Sequence, residues 1–146
     1  MPIVEKTISF GNNAGEAFPE YNTIRSVAFA SGIFIDRIII NGDSYGGPGG
    51  TLSETLVLAE NEWIESVTLR SGDVIDSLRL TSNTNKSIHG GGQGGRLHCA
   101  LVHGRVLSIS GMVGYWHGFN LPVICRLTFK VLMPDPPPIK DDCSPW

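Results

Sequence analysis

The chain has 146 residues, of which 41% are hydrophobic and 17% are charged, a composition typical of one globular domain. Its net charge is −3 and no block of like charges occurs, which argues against nucleic acid as a partner. No apolar run approaches the ~20 residues of a membrane-spanning helix, and the chain start lacks the apolar core of a secretory signal.

Taken in chain order, the first part of the sequence predicts strands joined by glycine-rich turns. Apolar residues alternate or form β-branched runs, which is typical of strands and not of helices. We predict strands over residues 2–9, 23–30 and 34–40, with turns at residues 11–15 and 41–43.

The same pattern continues through the rest of the predicted core. No window of about 11 residues or more shows sustained helical periodicity, so the predicted fold class is all-β. Further strands are predicted over residues 54–58, 63–70, 74–80, 96–102, 105–110 and 121–132. Prolines from residue 134 onward favour an extended polyproline conformation. We therefore predict a domain over residues 1–133 and a Pro-rich tail over residues 134–146.

A threefold internal repeat organises these strands. The pattern Gly-x-x-x-Asp occurs at residues 32–36 and again, 40 positions later, at residues 72–76. A third copy is predicted at residues 118–122, where Pro122 replaces the aspartate. Glycine clusters accompany the copies at residues 11–15, 46–50 and 91–95. A period near 40 residues, with about four strands in each copy, predicts three sheets around a pseudo-threefold axis.

The repeated residues have the chemistry needed to recognise a polyol. An ionised aspartate only accepts hydrogen bonds, so Asp36 or Asp76 can accept from two neighbouring hydroxyls of a sugar. Glycine turns add backbone N–H donors with no Cβ in the way. A single aspartate in a hairpin is more often only a turn former, but two full copies, each followed by a glycine cluster, favour a binding site. Nothing in this set predicts catalysis or a metal.

Together these motifs resemble those of the jacalin-related lectins of the mannose-binding type. The resemblance is carried by residues 31–42, 46–50, 70–76 and 91–95, and it runs from about residue 10 to residue 132. It implies a β-prism I fold, in which three four-stranded Greek-key sheets surround a pseudo-threefold axis. It also implies a homodimer without enzymatic activity or cofactor, whose partners are mannose- or glucose-type glycans and glycoproteins.

The resemblance further implies which residues contact the sugar. In the first site Asp36 would share a sugar with Gly50, and in the second site Asp76 would share one with Gly95. Backbone amides would complete the two sites at Phe34, Ile35, Val74 and Ile75.

The sequence departs from the family pattern in ways that weaken the third site most. Phe34 and Val74 stand where the family member with three full sites has tyrosine, so both sites lack that phenolic hydroxyl. Pro122 replaces the third aspartate and would pair with Gly15 in an eroded glycine cluster. We therefore expect two intact sites and a degenerate third. A lengthened loop could stack on a sugar there, or pack on a neighbouring subunit or the tail, through Tyr115, Trp116 and His117.

Other motifs point to activities that the sequence does not support. Residues 42–46 match the Gly-x-Ser-x-Gly nucleophile elbow, but a Gly-Gly-Pro-Gly-Gly turn takes the place of the required helix. His98, Cys99 and His103 could be metal ligands, but on one strand the two histidines would face opposite sides. The alternative function left open is a non-catalytic protein-interaction or targeting module, with residues 134–146 as a linker or docking peptide.

The cysteines bear on the cellular location. Cys99, Cys125 and Cys143 form an odd and sparse set, which argues against a disulfide framework and favours a reducing compartment. We therefore expect a cytoplasmic protein, with secretion without a visible signal peptide as the alternative.

Overall fold

The computed structural model describes residues 2–116, 118 and 120–135, and the regular structure of this part is β-strand. The strands form three antiparallel sheets, which confirms the all-β prediction. In chain order the strands are β1 Ile3–Gly11, β2 Glu16–Tyr21, β3 Ser26–Ser31, β4 Ile35–Ile40, β5 Asp43–Gly46, β6 Thr51–Leu52, β7 Leu56–Val57, β8 Ile64–Ser71, β9 Ile75–Ser82, β10 Ser87–Gly91, β11 Arg96–Leu101, β12 Arg105–Gly114 and β13 Val123–Pro134.

The three sheets share one order of strands. The first sheet has the order β5-β4-β3-β6, the second has β10-β9-β8-β11 and the third has β1-β13-β12-β2. In each sheet a central hairpin is followed by a strand on one side and then by a strand that crosses to the other side, which is the Greek-key order. The third sheet joins the first and the last of the described strands, because β1 pairs with β13 from Ile3 opposite Pro134 to Gly11 opposite Arg126.

The outer strands depart from the sequence pattern. The fourth strand of the first sheet is split into β6 and β7, which both pair with β3, so this sheet has five strands and not four. Between the two pieces, Phe29 N donates to the Ser53 hydroxyl at 3.0 Å and continues the edge. The sequence pattern does not predict β2, β5 and β10, because they are short and polar or rich in glycine. Pro19 in β2 is tolerated because β2 is an edge strand.

The main core fills the space between the sheets. Alternate side chains of the central strands point inward, so Val67 and Leu69 of β8 are buried. A shift of register between Ile64 and Ser66 lets Ile64 point inward as well. Phe29 and Phe129 are the largest fully buried side chains of the described residues. Burying each such side chain contributes roughly 1.5–3 kcal/mol, so apolar packing across the axis holds the sheets together.

A second, smaller apolar cluster joins the three central hairpins at one end of the prism. It contains Phe34, Val74, Val123 and Cys125, with Met112 half-buried against it. Phe34 precedes β4, Val74 precedes β9 and Val123 begins β13, so one residue of each central hairpin occupies the same place. These equivalent residues pack on one another around the pseudo-threefold axis, and we call this group the axis cluster.

The cysteines differ in state. Cys99 in β11 is disulfide-bonded, whereas Cys125 is a free and buried thiol. The bond at Cys99 departs from the expectation of reduced cysteines, and the cellular location stays a prediction. Residues 136–146, with Cys143 and most of the predicted tail, lie outside the described residues, so the domain boundary also stays a prediction. No helix in the described part of the chain is long and apolar enough to span a membrane.

Two glycines in left-handed conformations allow the strand packing to be tested. Gly91 has φ +103°, and a Cβ there would overlap the main-chain oxygen of Asp76. Gly42 has φ +86°, but a Cβ there would have no atom within 4 Å. Backbone strain costs each alanine variant roughly 1–2 kcal/mol, and overpacking adds about 1–3 kcal/mol only at Gly91. We therefore expect Gly91→Ala to lower the free energy of unfolding in urea clearly more than Gly42→Ala; equal losses would contradict the close approach of β10 to β9.

Candidate functional site

The candidate loops all lie at the same end of the prism. In each Greek key, the loop inside the central hairpin and the loop between the last two strands leave the sheet at the same end, because neighbouring strands are antiparallel. We name the first kind hairpin loops and the second kind glycine loops. The hairpin loops are residues 32–34, 72–74 and 115–122, and the glycine loops are residues 47–50, 92–95 and 12–15.

The first two hairpin loops have the same construction. Gly32 N donates to Phe34 O at 3.0 Å, and the second loop repeats this bond at 3.1 Å. A shift of strand register precedes both loops, and such bulges re-aim the following side chains. Asp36 and Asp76 are the second residues of β4 and β9, so the two carboxylates occupy corresponding positions.

In the first site the glycine loop lies directly against the Asp36 carboxylate. Gly47 N donates to the main-chain oxygen of Asp36 at 2.8 Å, which anchors the start of the loop. A Cβ on Gly49 would lie 3.0 Å from Asp36 Oδ1, and a Cβ on Gly50 would lie 2.6 Å from Oδ2. The loop reaches the carboxylate only because both residues are glycine. The predicted juxtaposition of Asp36 and Gly50 is therefore present.

The second site repeats this contact with a more deeply buried carboxylate. Gly92 N donates to the main-chain oxygen of Asp76 at 2.8 Å. A Cβ on Gly94 would lie 2.7 Å from Asp76 Oδ1, and a Cβ on Gly95 would overlap Oδ2. Asp76 is 6% exposed. The structure therefore also brings Asp76 and Gly95 together.

An arginine supports the second glycine loop, and the sequence analysis gave it no role. Arg70 Nε donates to Gly94 O at 3.0 Å, and Arg70 Nη2 approaches Gly95 O at 3.3 Å. Ala30 occupies the corresponding position in the first sheet. The two sites thus share their carboxylate geometry but differ in what holds the glycine loop.

At the third position Cys125 corresponds to the two aspartates, and the assignment of Pro122 is wrong. Asn12 N donates to Cys125 O at 2.9 Å, just as the first residue of each other glycine loop bonds to its aspartate. A Cβ on Gly15 would lie 2.6 Å from Cys125 Sγ. Cys125 is 1% exposed, and burial raises the pKa of its thiol. The third position therefore presents a neutral thiol and not a carboxylate.

The sequence did contain a signal for this correspondence. Residues 123–127, Val-Ile-Cys-Arg-Leu, follow the pattern of residues 74–78, Val-Ile-Asp-Ser-Leu, with cysteine in place of aspartate. The third hairpin loop spans residues 115–122 and is longer than the other two. Matching from the glycine at residue 118 therefore misaligns the third copy, whereas matching from the following strand aligns it.

Pro122 corresponds instead to Ile33 and Asp73, and these three residues link neighbouring sheets. The glycine loop of the first sheet packs on Pro122 O and that of the second sheet packs on Ile33 O. The third glycine loop donates through Asn12 Nδ2 to Asp73 O. Each glycine loop thus lies between the hairpin loop of its own sheet and that of a neighbour, so each site is built from two sheets.

The apolar residues predicted for the two sites have buried side chains. Ile35, Val74 and Ile75 are at most 1% exposed, and Phe34 is 8% exposed. The side chains of Phe34 and Val74 belong to the axis cluster. Only the main chain of these residues is therefore a candidate for contact with a sugar.

The residues predicted for a rebuilt third site separate in the structure. Tyr115 is 66% exposed. The ring of Trp116 lies on the ring of Phe34, with 5.4 Å between centroids and an interplanar angle of 40°. Trp116 therefore packs on the first hairpin loop at the axis. His117 lies outside the described residues.

Burial raises the pKa of both aspartates. For Asp36 desolvation is the largest cause, and backbone hydrogen bonds from Gly32 and from its own amide oppose it. For Asp76 desolvation is again the largest cause; the charge of Arg70 lowers its pKa, and the charge of Asp73 raises it. Both carboxylates lie partly out of water without full compensation from the protein, which is typical of a functional site.

A cavity of about 520 Å³ lies at the opposite end of the prism. It is lined by the segments that lead into β3, β8 and β12, and by none of the predicted site residues. The lining includes Arg105, whose guanidinium lies 4.8 Å from the centre of the Trp63 ring, and the carboxylates of Glu60 and Glu62. Its walls therefore carry both signs of charge.

Comparison with known protein sequences identifies the same family that the repeated motifs resemble. The model of the Jacalin-like lectin domain matches residues 8–121 of the chain. Griffithsin from Griffithsia sp. (strain Q66D336) is 37% identical over 106 residues, which cover 72% of this chain and 84% of that protein.

Solved structures show the same β-prism I fold. Malaysian banana lectin has a TM-score of 0.68 and 24% identity, covering 91% of this chain and 99% of its own. A mannose-specific jacalin-related lectin from Morus nigra has a TM-score of 0.65 and 21% identity, covering 88% and 93%. Because the family model matches residues 8–121, more than half of the chain, the chain belongs to the jacalin-like lectins. It is a carbohydrate-binding protein without enzymatic activity.

Proposed function

We propose that the chain binds mannose- and glucose-type glycans at two sites, one at Asp36 and one at Asp76. The observation that carries this proposal is the glycine loop seated twice on an aspartate carboxylate. Neighbouring hydroxyls of a sugar donate to the carboxylate oxygens, and the loop amides donate to the sugar oxygens. The arrangement binds a polyol and holds no group placed to attack a bond.

Each proposed site combines one carboxylate with main-chain groups from two loops. The carboxylate supplies charged acceptors, and the glycine loop supplies amides that no Cβ covers. The first site would use Asp36, Gly50 and the backbone of Phe34 and Ile35, and the second would use Asp76, Gly95 and the backbone of Val74 and Ile75.

The choice of sugar is supported by proteins of the same fold. The Morus nigra lectin is described as mannose-specific and was solved in complex with mannose. Artocarpin, with a TM-score of 0.65 and 18% identity, was solved with methyl α-mannose. These relatives support mannose-type ligands on this scaffold, and mannose is our proposal for this chain.

We further propose that the third position does not bind sugar and that the chain acts as a homodimer. Cys125 offers no carboxylate at the third glycine loop. Shallow single sites bind weakly, so two sites per chain and two chains per assembly would raise avidity on branched glycans and glycoproteins. Leu52 and Val57, on the outer edge of the first sheet, are 58% and 57% exposed and provide apolar surface for an interface.

Titration with methyl α-mannoside tests the two sites. We expect two sites per chain, one site in Asp36→Ala, one in Asp76→Ala and none in the double variant, because each substitution removes charged acceptors worth about 1.5–3 kcal/mol each. Isothermal titration calorimetry measures the stoichiometry. Asp43→Ala is the matched control, because Asp43 begins β5 at the other end of the first sheet from the glycine loops. There it accepts a hydrogen bond from Tyr21 of the third sheet.

Binding retained by a folded double variant would contradict the proposal. A wild-type chain that binds no glycan on a broad array would favour the alternative of a protein-interaction module.

Acidification should abolish binding before it unfolds the protein. Because the pKa values of Asp36 and Asp76 are raised, their protonation and the loss of sugar binding begin above the usual aspartate pKa of about 3.9. A raised folded-state pKa means that these two groups favour the folded state at low pH and lose that contribution as the pH rises. Glu62 acts in the opposite direction, since bonds from Lys86 and Thr84 lower its pKa to about 2. Its contribution to stability is complete above the ordinary glutamate pKa of about 4.3 and is lost as the pH falls from there through about 2.

Affinity and near-ultraviolet circular dichroism measured along one pH series check this order. Simultaneous loss of binding and tertiary signal would contradict it.

Rebuilding the third site tests the assignment of Cys125. Ala14 corresponds to Gly49 and Gly94 of the first two glycine loops, where a side chain would crowd the carboxylate. The variant therefore combines Ala14→Gly with Cys125→Asp. We expect a third, weak site per chain by calorimetry. The matched variant Ala14→Gly with Pro122→Asp should keep two sites, and a third site in that variant would restore the original assignment of Pro122.

A further inference from the structure

The two proposed sugar sites have the same carboxylate geometry but different support for their glycine loops. In the second site Arg70 reaches across from β8 and bonds the carbonyl oxygens of Gly94 and Gly95. In the first site the corresponding residue is Ala30, which is 1% exposed. In the third sheet the corresponding residue is Met112. It pairs with Arg126, the residue after Cys125, just as Arg70 pairs with Ser77, the residue after Asp76. Among the three positions, only the second has an arginine at this point.

We propose that Arg70 is a positioning residue that holds the glycine loop of residues 92–95 in its binding conformation before a sugar arrives, so that the second site binds a monosaccharide more tightly than the first. This inference rests on the proposed lectin function of the same site.

The geometry of the peptide unit connects Arg70 to the donor that the sugar would use. Gly94 C=O and Gly95 N–H belong to one planar trans peptide and point in opposite directions. A hydrogen bond that fixes Gly94 O therefore also fixes the direction of Gly95 N–H. The planar guanidinium holds two successive carbonyls at once, which sets the orientation of two peptide units.

Pre-ordering should matter here because the loop is made of glycine. Glycine loses more conformational freedom on ordering than any other residue, and a loop ordered only on binding takes that loss from the affinity. Arg70 is anchored on a central strand, so the loop is ordered by the sheet and not by the sugar.

Among the residues that the structure describes, no side chain donates to a carbonyl oxygen of the first glycine loop as Arg70 does to the second. Leu121 Cδ1 lies 3.7 Å from the place that a Cβ on Gly49 would take, and this apolar side chain donates no hydrogen bond. Pro48 fixes one φ angle but leaves Gly49 and Gly50 free. Arg37 directly follows Asp36, yet its buried Nε has no hydrogen-bond partner in the described structure.

Electrostatics act in the same direction. The charge of Arg70 lowers the pKa of Asp76, against burial and against the charge of Asp73, and so favours the ionised acceptor. No arginine contributes to the pKa of Asp36.

Isolating the two sites allows the proposal to be tested. Asp36→Ala leaves only the second site, and Asp76→Ala leaves only the first. Calorimetry with methyl α-mannoside should give a dissociation constant about five- to tenfold lower for the second site alone, as expected for the loss of one or two such bonds. Adding Arg70→Ala to each of these variants should remove most of this difference. The dissociation constant of the first site should then stay within twofold of its value with Arg70 present.

Two further variants separate positioning from general stability. Arg70→Lys keeps the charge but cannot bond both carbonyls as a fork, so we expect a partial rescue. Arg37→Ala, the matched control, removes the guanidinium next to Asp36. It should leave the dissociation constant of the first site within twofold of the wild-type value. Both variants also remain informative if Arg70→Ala fails to fold.

Amide hydrogen exchange of Gly95 without sugar gives a readout independent of binding. Faster exchange in Arg70→Ala or Arg70→Lys, at unchanged melting temperature, would support positioning of the loop even if the wild type bound no mannoside, an outcome that would overturn only the proposed function. Equal affinities of the two isolated sites in a wild-type Arg70 background, or equal weakening of both sites by Arg70→Ala, would overturn the inference.

Discussion

The close approach of a glycine main chain to a carboxylate that is partly or fully buried is the constraint on which this end of the molecule depends. At Gly49 and Gly50, and again at Gly94 and Gly95, the space that a side chain would fill is taken by the carboxylate oxygens of an aspartate. The protein therefore presents backbone amides and one carboxylate, and almost no other side-chain chemistry. Such a surface suits a ligand with many hydroxyl groups, because it supplies donors and charged acceptors close together.

The prism fold makes this approach possible by fixing two loops of one sheet against a loop of the next. Each Greek key brings its hairpin loop and its glycine loop to the same end, and the axis cluster packs the three hairpins together. The contacts through Pro122, Ile33 and Asp73 then close a ring of three sheets. A change in the packing of one sheet should therefore be felt at the site of its neighbour.

The sequence predicts the parts of this design that depend on local patterns. Alternation and glycine spacing predict the all-β class, the central strands and both aspartates, because these features repeat with a nearly constant period. The split edge strand and the short strands β2, β5 and β10 are missed, since edge strands need little apolar patterning. The third copy is misaligned because its hairpin loop is longer, although the strand pattern around Cys125 identifies the right residue. Cysteine counting likewise does not predict the bond at Cys99, because pairing depends on where the chain brings two thiols together.

Arg70 shows why the strength of a site could not be predicted from its motif. The motif describes the residues that face a ligand, and these are nearly the same in both sites. The support of the glycine loop comes from the neighbouring strand, where arginine in one sheet corresponds to alanine in another. Two sites of equal motif can thus differ in the order of the loop before binding, and that difference enters the affinity directly. In a repeat protein of this kind, the residues behind the loops can change from one copy to the next without altering the recognition motif, so the copies can diverge in affinity before they diverge in ligand.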